Sequence, residues 1–210
     1  MIKLLIADDH PIVREGLKQI LKDDPNIVIS GEAGDGEEAL KKIRKEKYDV
    51  ILLDISMPKK NAIEILDEVR KEKTQPRILI LSIHSEEQYA IRALKAGAYG
   101  YLTKDSAPNE LISAIKKISL GKKYISPSLT EKLVDNLGAS LNKYPHEDLS
   151  SREYEIMLLL ASGKRETDIA SELFLSIKTV STYKIRILKK MGMKNTSEII
   201  YYAIKNRLIE

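Results

Sequence analysis

Over the first 121 residues, short unbroken apolar runs alternate with stretches in which apolar residues recur every three or four positions. A short apolar run bounded by turn formers is the pattern of a strand buried on both faces, and the three-to-four spacing is that of a helix with one inward stripe. On this basis the chain predicts strands at Ile2–Ala7, Ile27–Ala33, Val50–Asp54, Arg77–Ser82 and Gly100–Thr103. Helices are predicted at Pro11–Leu21, Gly36–Glu46, Ala62–Lys71, Glu86–Ala96 and Pro108–Ser119. Pro11 suits a first turn, where the missing N–H is no loss. Five βα units in a row imply an α/β fold: a doubly wound, five-stranded parallel sheet with helices on both faces.

Gly121 breaks that alternation. Pro127–Leu137 reads as a short connecting helix capped by Ser126, and 138–148 has no apolar period, so 122–148 is expected to be a linker. The pattern resumes at Ser150-Ser151-Arg152-Glu153, a capping box in which the Ser hydroxyl takes an N–H of the first turn and the Glu reaches back. Leu149 and Tyr154 stand where a hydrophobic staple would pack, and Gly163 ends the helix. Helices follow at Glu166–Leu173, at Ser176–Met191 after the tight Phe174-Leu175 turn, and at Thr196–Asn206. Four short helices with a tight turn between the second and third predict a small all-α helix-turn-helix domain over 149–210.

Composition changes this picture little. There is no cysteine, which excludes a disulfide framework and cysteine-ligated zinc. No apolar run approaches the roughly 18 residues of a membrane span, and the amino end lacks a secretory leader pattern, so the expectation is a cytoplasmic protein with no membrane partner. Charge is more telling. Residues 149–210 hold 11 basic and 7 acidic side chains, and 176–194 hold six basic and no acidic one. Charge gathered on one short helix points to a polyanion.

The candidate chemistry of the first domain lies at strand ends. With strand order 2-1-3-4-5, strands one and three are neighbours at the switch point, which brings Asp8, Asp9 and Asp54 together. Carboxylates so grouped repel one another unless a cation intervenes, and oxygen ligands of this kind suit Mg²⁺. Strand four ends in the Ser82 hydroxyl and strand five leads to the Lys104 ammonium. Nucleophilic carboxylate, divalent cation, hydroxyl and ammonium are the parts that accept a phosphoryl group onto Asp54.

Leu5-Ile6-Ala7-Asp8-Asp9-His10, Leu53-Asp54-Ile55-Ser56-Met57-Pro58, Ile80-Leu81-Ser82 and Gly100-Tyr101-Leu102-Thr103-Lys104 together resemble the receiver domain of two-component response regulators, over about residues 1–121. The resemblance implies Asp54 as phosphoacceptor, and Asp8, Asp9, Asp54 and the Ser56 backbone carbonyl as Mg²⁺ ligands. It also implies Ser82 and Tyr101 as a switch pair, with Tyr101 turning inward on phosphorylation, and Lys104 as phosphate partner. Two departures stand out. Ala62 occupies a loop position where the family usually has Gly, so a differently shaped loop is expected there. Ile83 is bulky where a small residue is common, and His84 beside it is expected to be solvated.

On the helix at Ser176–Met191, Val180, Ile187, Leu188 and Met191 share one face. Lys178, Thr182, Ile185 and Lys189 share the opposite one, with Ser181 and Arg186 at its borders. Lys184 falls near the apolar stripe, where its stem can be covered while its ammonium reaches out. Leu149-Ser150-Ser151-Arg152-Glu153, Asp168-Ile169-Ala170 and Lys178-Thr179-Val180-Ser181-Thr182-Tyr183-Lys184 resemble a LuxR-type helix-turn-helix. With the receiver, nearly the whole chain resembles a NarL/FixJ-family response regulator. Arg165 departs from that pattern, standing where a capping Ser is frequent.

The resemblance implies a transcription factor rather than an enzyme. A sensor histidine kinase would phosphorylate Asp54, and the phosphorylated chain would form a homodimer on paired half-sites of double-stranded DNA. Lys178, Thr179, Ser181, Thr182, Tyr183, Lys184, Ile185, Arg186 and Lys189 are the expected DNA contacts. Glu198, Ile199 and Tyr202 of the last helix are the expected dimer contacts, and RNA polymerase is a further candidate partner. A phosphatase working through an aspartyl phosphate is the rival from another class. It would resemble the haloacid dehalogenases, which carry a second Asp two residues after the nucleophile, and Ser56 stands there instead. A regulator that binds DNA constitutively is the third reading, and the intact acidic pocket speaks against it.

Overall fold

Each apolar run forms a strand because both of its faces are covered. β1 (Ile2–Ala7), β2 (Ile27–Ala33), β3 (Val50–Asp54), β4 (Ile78–Ser82) and β5 (Gly100–Thr103) make one all-parallel sheet in the order 2-1-3-4-5. A computed structural model gives this architecture and describes residues 1–72, 76–83, 86–126, 129–130, 144–206 and 208–209. Every residue of the central strands β3 and β4 is buried. α1 (Pro11–Leu21), α2 (Gly36–Lys45), α3 (Ala62–Val69), α4 (Glu86–Ala96) and α5 (Ala107–Ser119) are the crossovers. One sheet face packs Leu4, Ile6, Leu52 and Leu79 against Leu17 and Leu21 of α1 and Leu111, Ile115 and Ile118 of α5. The chain divides into two compact units, Met1–Asp135 and Asn136–Glu210.

The loop from β3 to α3 ends at Ala62, where the helix was expected to begin. Ala62 is the first residue of α3, and the helix is capped by Asn61 in a full capping box with Glu64. The left-handed residue is Lys59, at φ 68°. A non-glycine residue there costs about 1–2 kcal/mol, and its surroundings hold it: the Lys59 ammonium lies 2.6 Å from Asp35 Oδ2. Gly36 packs directly beneath, its N–H donating to the Pro58 carbonyl at 3.1 Å.

Most of the connecting helix expected at Pro127–Leu137, and His84, lie outside the described residues. Ser126 does cap the chain there, its Oγ accepting from the Leu129 N–H at 3.1 Å, with Leu129 buried.

The second unit opens with the short 3-10 turn Pro145–Asp148 and continues as α6 (Ser151–Ala161), α7 (Glu166–Glu172), α8 (Ile177–Met191) and α9 (Thr196–Lys205). α6 is its centre and is buried almost all round. The Ser150–Glu153 capping box is formed, and Leu149 and Tyr154 are both buried. Arg152 is buried too, donating to Glu155 Oε2 at 2.8 Å and to the Leu173 carbonyl at 3.0 Å, which ties α6 to the end of α7. Left-handed Gly163 and Gly192 end α6 and α8, and Phe174 takes the same conformation in the turn between α7 and α8. Ser176 Oγ accepts from the Thr179 N–H at 3.0 Å and starts α8.

Candidate functional site

β1 ends just before Asp8 and β3 ends on Asp54, and Ala7 stands opposite Leu53 in the shared ladder. The register therefore sets the two carboxylates side by side at the carboxyl edge. Lys104, directly after β5, reaches both: its ammonium is 2.6 Å from Asp54 Oδ1 and 2.7 Å from Asp8 Oδ2. Its own N–H donates to the Ser82 carbonyl at 2.7 Å, which fixes the chain from which it reaches. The Ser56 N–H donates to Asp54 Oδ2 at 3.0 Å. Asp54 is thus held at both oxygens with only 5% of its surface exposed.

Burial raises the Asp54 pKa above its ordinary value. Lys104 pulls it down and Asp8 pushes it further up, and the burial prevails. Burial pulls Lys104 the other way, but Asp54 and Asp8 outweigh it and keep the ammonium charged.

Asp8 and Asp9 also meet the requirement for a small hard cation. Asp8 Oδ1 accepts from the His10 N–H at 2.8 Å. Asp9 Oδ1 is buried and accepts no hydrogen bond among the described residues, with His10 Nδ1 2.9 Å away. A buried carboxylate oxygen without a donor is costly unless a cation fills the role. Asp8, Asp9 and His10 offer ligand atoms within 4.8 Å of one another.

Ser82 ends β4 fully buried, one residue beyond the Leu81 that pairs with Asp54. Tyr101 is also fully buried. Ile83, by contrast, is 77% exposed. Two residues of the pocket carried no sequence signal of their own. One is His10. The other is Arg14 of α1, whose guanidinium donates to the Asp8 carbonyl at 2.7 Å and to Glu32 Oε2 at 3.1 Å.

In the second unit α8 buries Val180, Ile187 and Met191. Lys178, Thr182, Ile185, Arg186 and Lys189 are exposed and share the outward side. Other expected DNA contacts are engaged within the domain. Thr179 Oγ1 is 2.7 Å from Ser176 Oγ in the cap, and Tyr183 is half-buried with the Arg186 guanidinium 5.9 Å from its ring centre. Ser181 donates to Glu166 Oε2, and the Lys184 ammonium lies 2.9 Å from Glu166 Oε1. The Lys190 ammonium is 2.6 Å from buried Glu153. Arg165 adds no cap to α7; its guanidinium forks onto Asp168 at 2.9 and 3.0 Å.

The residues expected to form a dimer differ in exposure, with Ile199 in the core and Glu198 and Tyr202 half-buried. Ile199 is fully buried, the Tyr202 hydroxyl is 2.7 Å from His146 Nδ1, and Glu198 accepts from the Lys194 N–H at 2.9 Å at the start of α9. An apolar side chain already in the core cannot also meet a partner. Tyr201 and Ile204, at 69% and 58% exposure, are the apolar residues on the outer side of α9.

Comparison with known proteins identifies both domains. Residues 4–116 match the family model described as the response regulator receiver domain, and residues 147–203 that of bacterial regulatory proteins of the luxR family. The chain is 34% identical over 209 residues to the response regulator UvrY of Escherichia coli (strain K12), covering 99% of this chain and 96% of that one. It is 35% identical over 216 residues to the oxygen regulatory protein NreC of Staphylococcus carnosus, each chain covered in full. Among solved structures it is similar to RcsB from Salmonella enterica serovar Typhimurium bound to promoter rprA in the presence of phosphomimetic BeF3-. That match has a TM-score of 0.63 and 26% identity, and covers 96% of this chain and 98% of that one.

Proposed function

The chain belongs to the NarL/FixJ family of two-component response regulators, with a receiver domain and a LuxR-type helix-turn-helix that makes it a DNA-binding transcription regulator, and from that premise we propose that phosphorylation of Asp54 controls its binding to DNA. The observation that carries the proposal is the buried Asp54 carboxylate, gripped by Lys104 and the Ser56 N–H with Asp8 beside it. A sensor histidine kinase supplies the phosphoryl group. An Asp54 oxygen attacks phosphorus, the phosphorus–nitrogen bond to the kinase histidine breaks, its electron pair and a proton go to the imidazole, and an acyl phosphate remains on Asp54.

Asp8, Asp9, Asp54 and the Ser56 carbonyl would hold Mg²⁺, which neutralises charge gathering on the phosphoryl oxygens. Lys104 follows the charge from carboxylate to phosphate, and losing its bond to Asp54 Oδ1 loosens the chain after β5. Ser82, buried at the end of β4, supplies the hydroxyl that the new phosphate draws in. The solved relative bound to DNA with a phosphomimetic favours coupling of these events to DNA binding. Two copies on paired half-sites would meet through Tyr201 and Ile204 of α9, and would present Lys178, Thr182, Ile185, Arg186 and Lys189 of α8 to the major groove. The test is labelling by acetyl phosphate with Mg²⁺. Asp54→Asn keeps the shape, removes the nucleophile and is expected to abolish labelling, while Lys104→Ala is expected to label yet not dimerise. Substantial labelling of Asp54→Asn overturns the assignment.

A further inference from the structure

Glu166 is the first residue of α7, and its carboxylate touches the recognition helix α8 at two points: it accepts from the Ser181 hydroxyl and pairs with the Lys184 ammonium. Both α8 residues are half-buried; Ser181 borders the exposed side that carries Lys178, Thr182, Ile185 and Lys189, and Lys184 lies nearer the apolar stripe, with its ammonium reaching out along a covered stem. The Ser181 bond first, and the Lys184 pair with it, hold the Glu166 carboxyl below the ordinary carboxylate range, so it is charged at neutral pH. An anion therefore sits at the rim of a surface built for a polyanion, and it occupies a cation that the surface would otherwise offer. At physiological salt charges interact over about 8 Å, so a phosphate at this rim meets both effects.

We infer that Glu166 is an electrostatic brake that keeps Lys184 and Ser181 in an intramolecular clamp and lowers the affinity of α8 for DNA of any sequence. Backbone binding carries no sequence information, so the brake lowers affinity for the right sequence and for every other alike and sets how strongly the chain binds DNA, not which DNA it prefers. Neighbouring charges do not supply the same effect. Arg165, beside Glu166, is forked onto Asp168, and Lys190 is held by Glu153 on the far side of α8.

The inference rests on the reading of α8 as the DNA-contacting helix, and the experiment separates the two. The full-length chain, phosphorylated with acetyl phosphate, is titrated against two duplexes at several salt concentrations: one recovered by selection from random DNA, and one of random sequence. Glu166→Gln keeps a hydrogen-bond acceptor for Ser181 while removing the charge. It is expected to tighten binding to the random duplex by several-fold to about tenfold and to steepen the salt dependence by about 0.9 per subunit, the value of one released phosphate contact. The selected duplex should tighten by the same factor, so that the ratio between the two duplexes stays unchanged. In a Lys184→Gln background the same change is expected to add much less, because the freed cation is then missing. If Glu166→Gln leaves random-duplex affinity and salt slope unchanged, or weakens binding, the brake is refuted and the carboxylate only positions α8. Failure of the parent chain to bind either duplex would instead remove the DNA reading of α8, and this inference with it.

Discussion

Replacing Gly36 with Ala is expected to loosen the receiver from a position that touches none of its acidic residues. A Cβ on Gly36 would stand 2.0 Å from the Lys60 carbonyl oxygen, 2.7 Å from Lys60 Cβ and 2.8 Å from its carbonyl carbon. The two backbones must part by about 1 Å before such contacts become tolerable. The loop has little room to give way. The Pro58 carbonyl accepts from both Gly36 and Lys60 N–H, Lys59 is left-handed with its ammonium on Asp35, and Asn61 is locked in the capping box. Overpacking costs about 1–3 kcal/mol, and a backbone neighbour so constrained puts this case near 2 kcal/mol. That corresponds to roughly thirtyfold faster global opening, readable as amide hydrogen exchange of β3, a measure specific to this unit of a two-unit chain. The same displacement moves Ser56, so Mg²⁺-dependent labelling by acetyl phosphate should slow as well. Gly16 is the control: it lies in α1, exposed, with nothing within 4 Å of an added Cβ. Gly16→Ala should stabilise by about 0.5–1 kcal/mol and slow the same exchange. Unchanged β3 exchange in Gly36→Ala, or equal behaviour of the two variants, would show that the close approach does not constrain the loop.

Glu153 is buried, which raises its pKa, but Lys190 and the Ser150 N–H outweigh burial and leave it lowered from 4.5. Its stabilising contribution is therefore full at neutral pH and is lost as pH falls below 4.5 through the lowered pKa, so Glu153→Gln should flatten the acid branch of an unfolding titration of the α6–α9 unit. Exposed Ile83 flanks Ser82; Ile83→Ala is expected to speed loss of the phosphoryl group about tenfold, or ~1.4 kcal/mol of barrier, and a rate unchanged or slowed counts against water exclusion by this side chain. Thr182→Ala or Ile185→Ala should alter base preference by roughly 1–3 kcal/mol per disturbed pair. Lys189→Ala should instead weaken binding to all sequences alike and flatten the salt slope by about one unit per subunit. Competition across duplex variants at two salt concentrations checks both, and a changed preference in Lys189→Ala alone would reverse the orientation of α8.

The sheet and its carboxyl edge were legible in the sequence because they depend on local signals. Apolar runs mark the strands, the order follows from five βα units, and Asp8, Asp54 and Lys104 each stand at a strand end that the order makes adjacent. Helix starts were equally open, since Ser150 with Glu153 and Ser176 are caps written in the sequence. What escaped depends on pairs of residues far apart. Glu166 and Lys184 are on different helices, and nothing in either neighbourhood says that one will consume the charge of the other. Arg14 reaches the Asp8 carbonyl across a helix start, a backbone contact with no sequence trace. The last helix was read by resemblance and not by its stripe: Ile199 and Ala203 turn inward while Tyr201 and Ile204 turn out, a distinction that the period alone carries weakly in so short a helix. Ala62 was legible as the start of a helix, whereas the left-handed residue of the loop, three positions earlier at Lys59, carried no signal.

α8 has 15 residues and the domain's interior takes only Val180, Ile187 and Met191 from it. A surface so lightly tied to the core is free to diverge. Substitutions at Lys178, Thr182, Ile185 or Lys189 leave folding untouched, so duplicated copies of such a gene can drift toward new operators one residue at a time without passing through unfolded ancestors. β3 offers no such freedom: all five of its residues are buried, and its last is Asp54. Over evolutionary time the address a chain of this design reads can wander while the switch that commands it stays fixed.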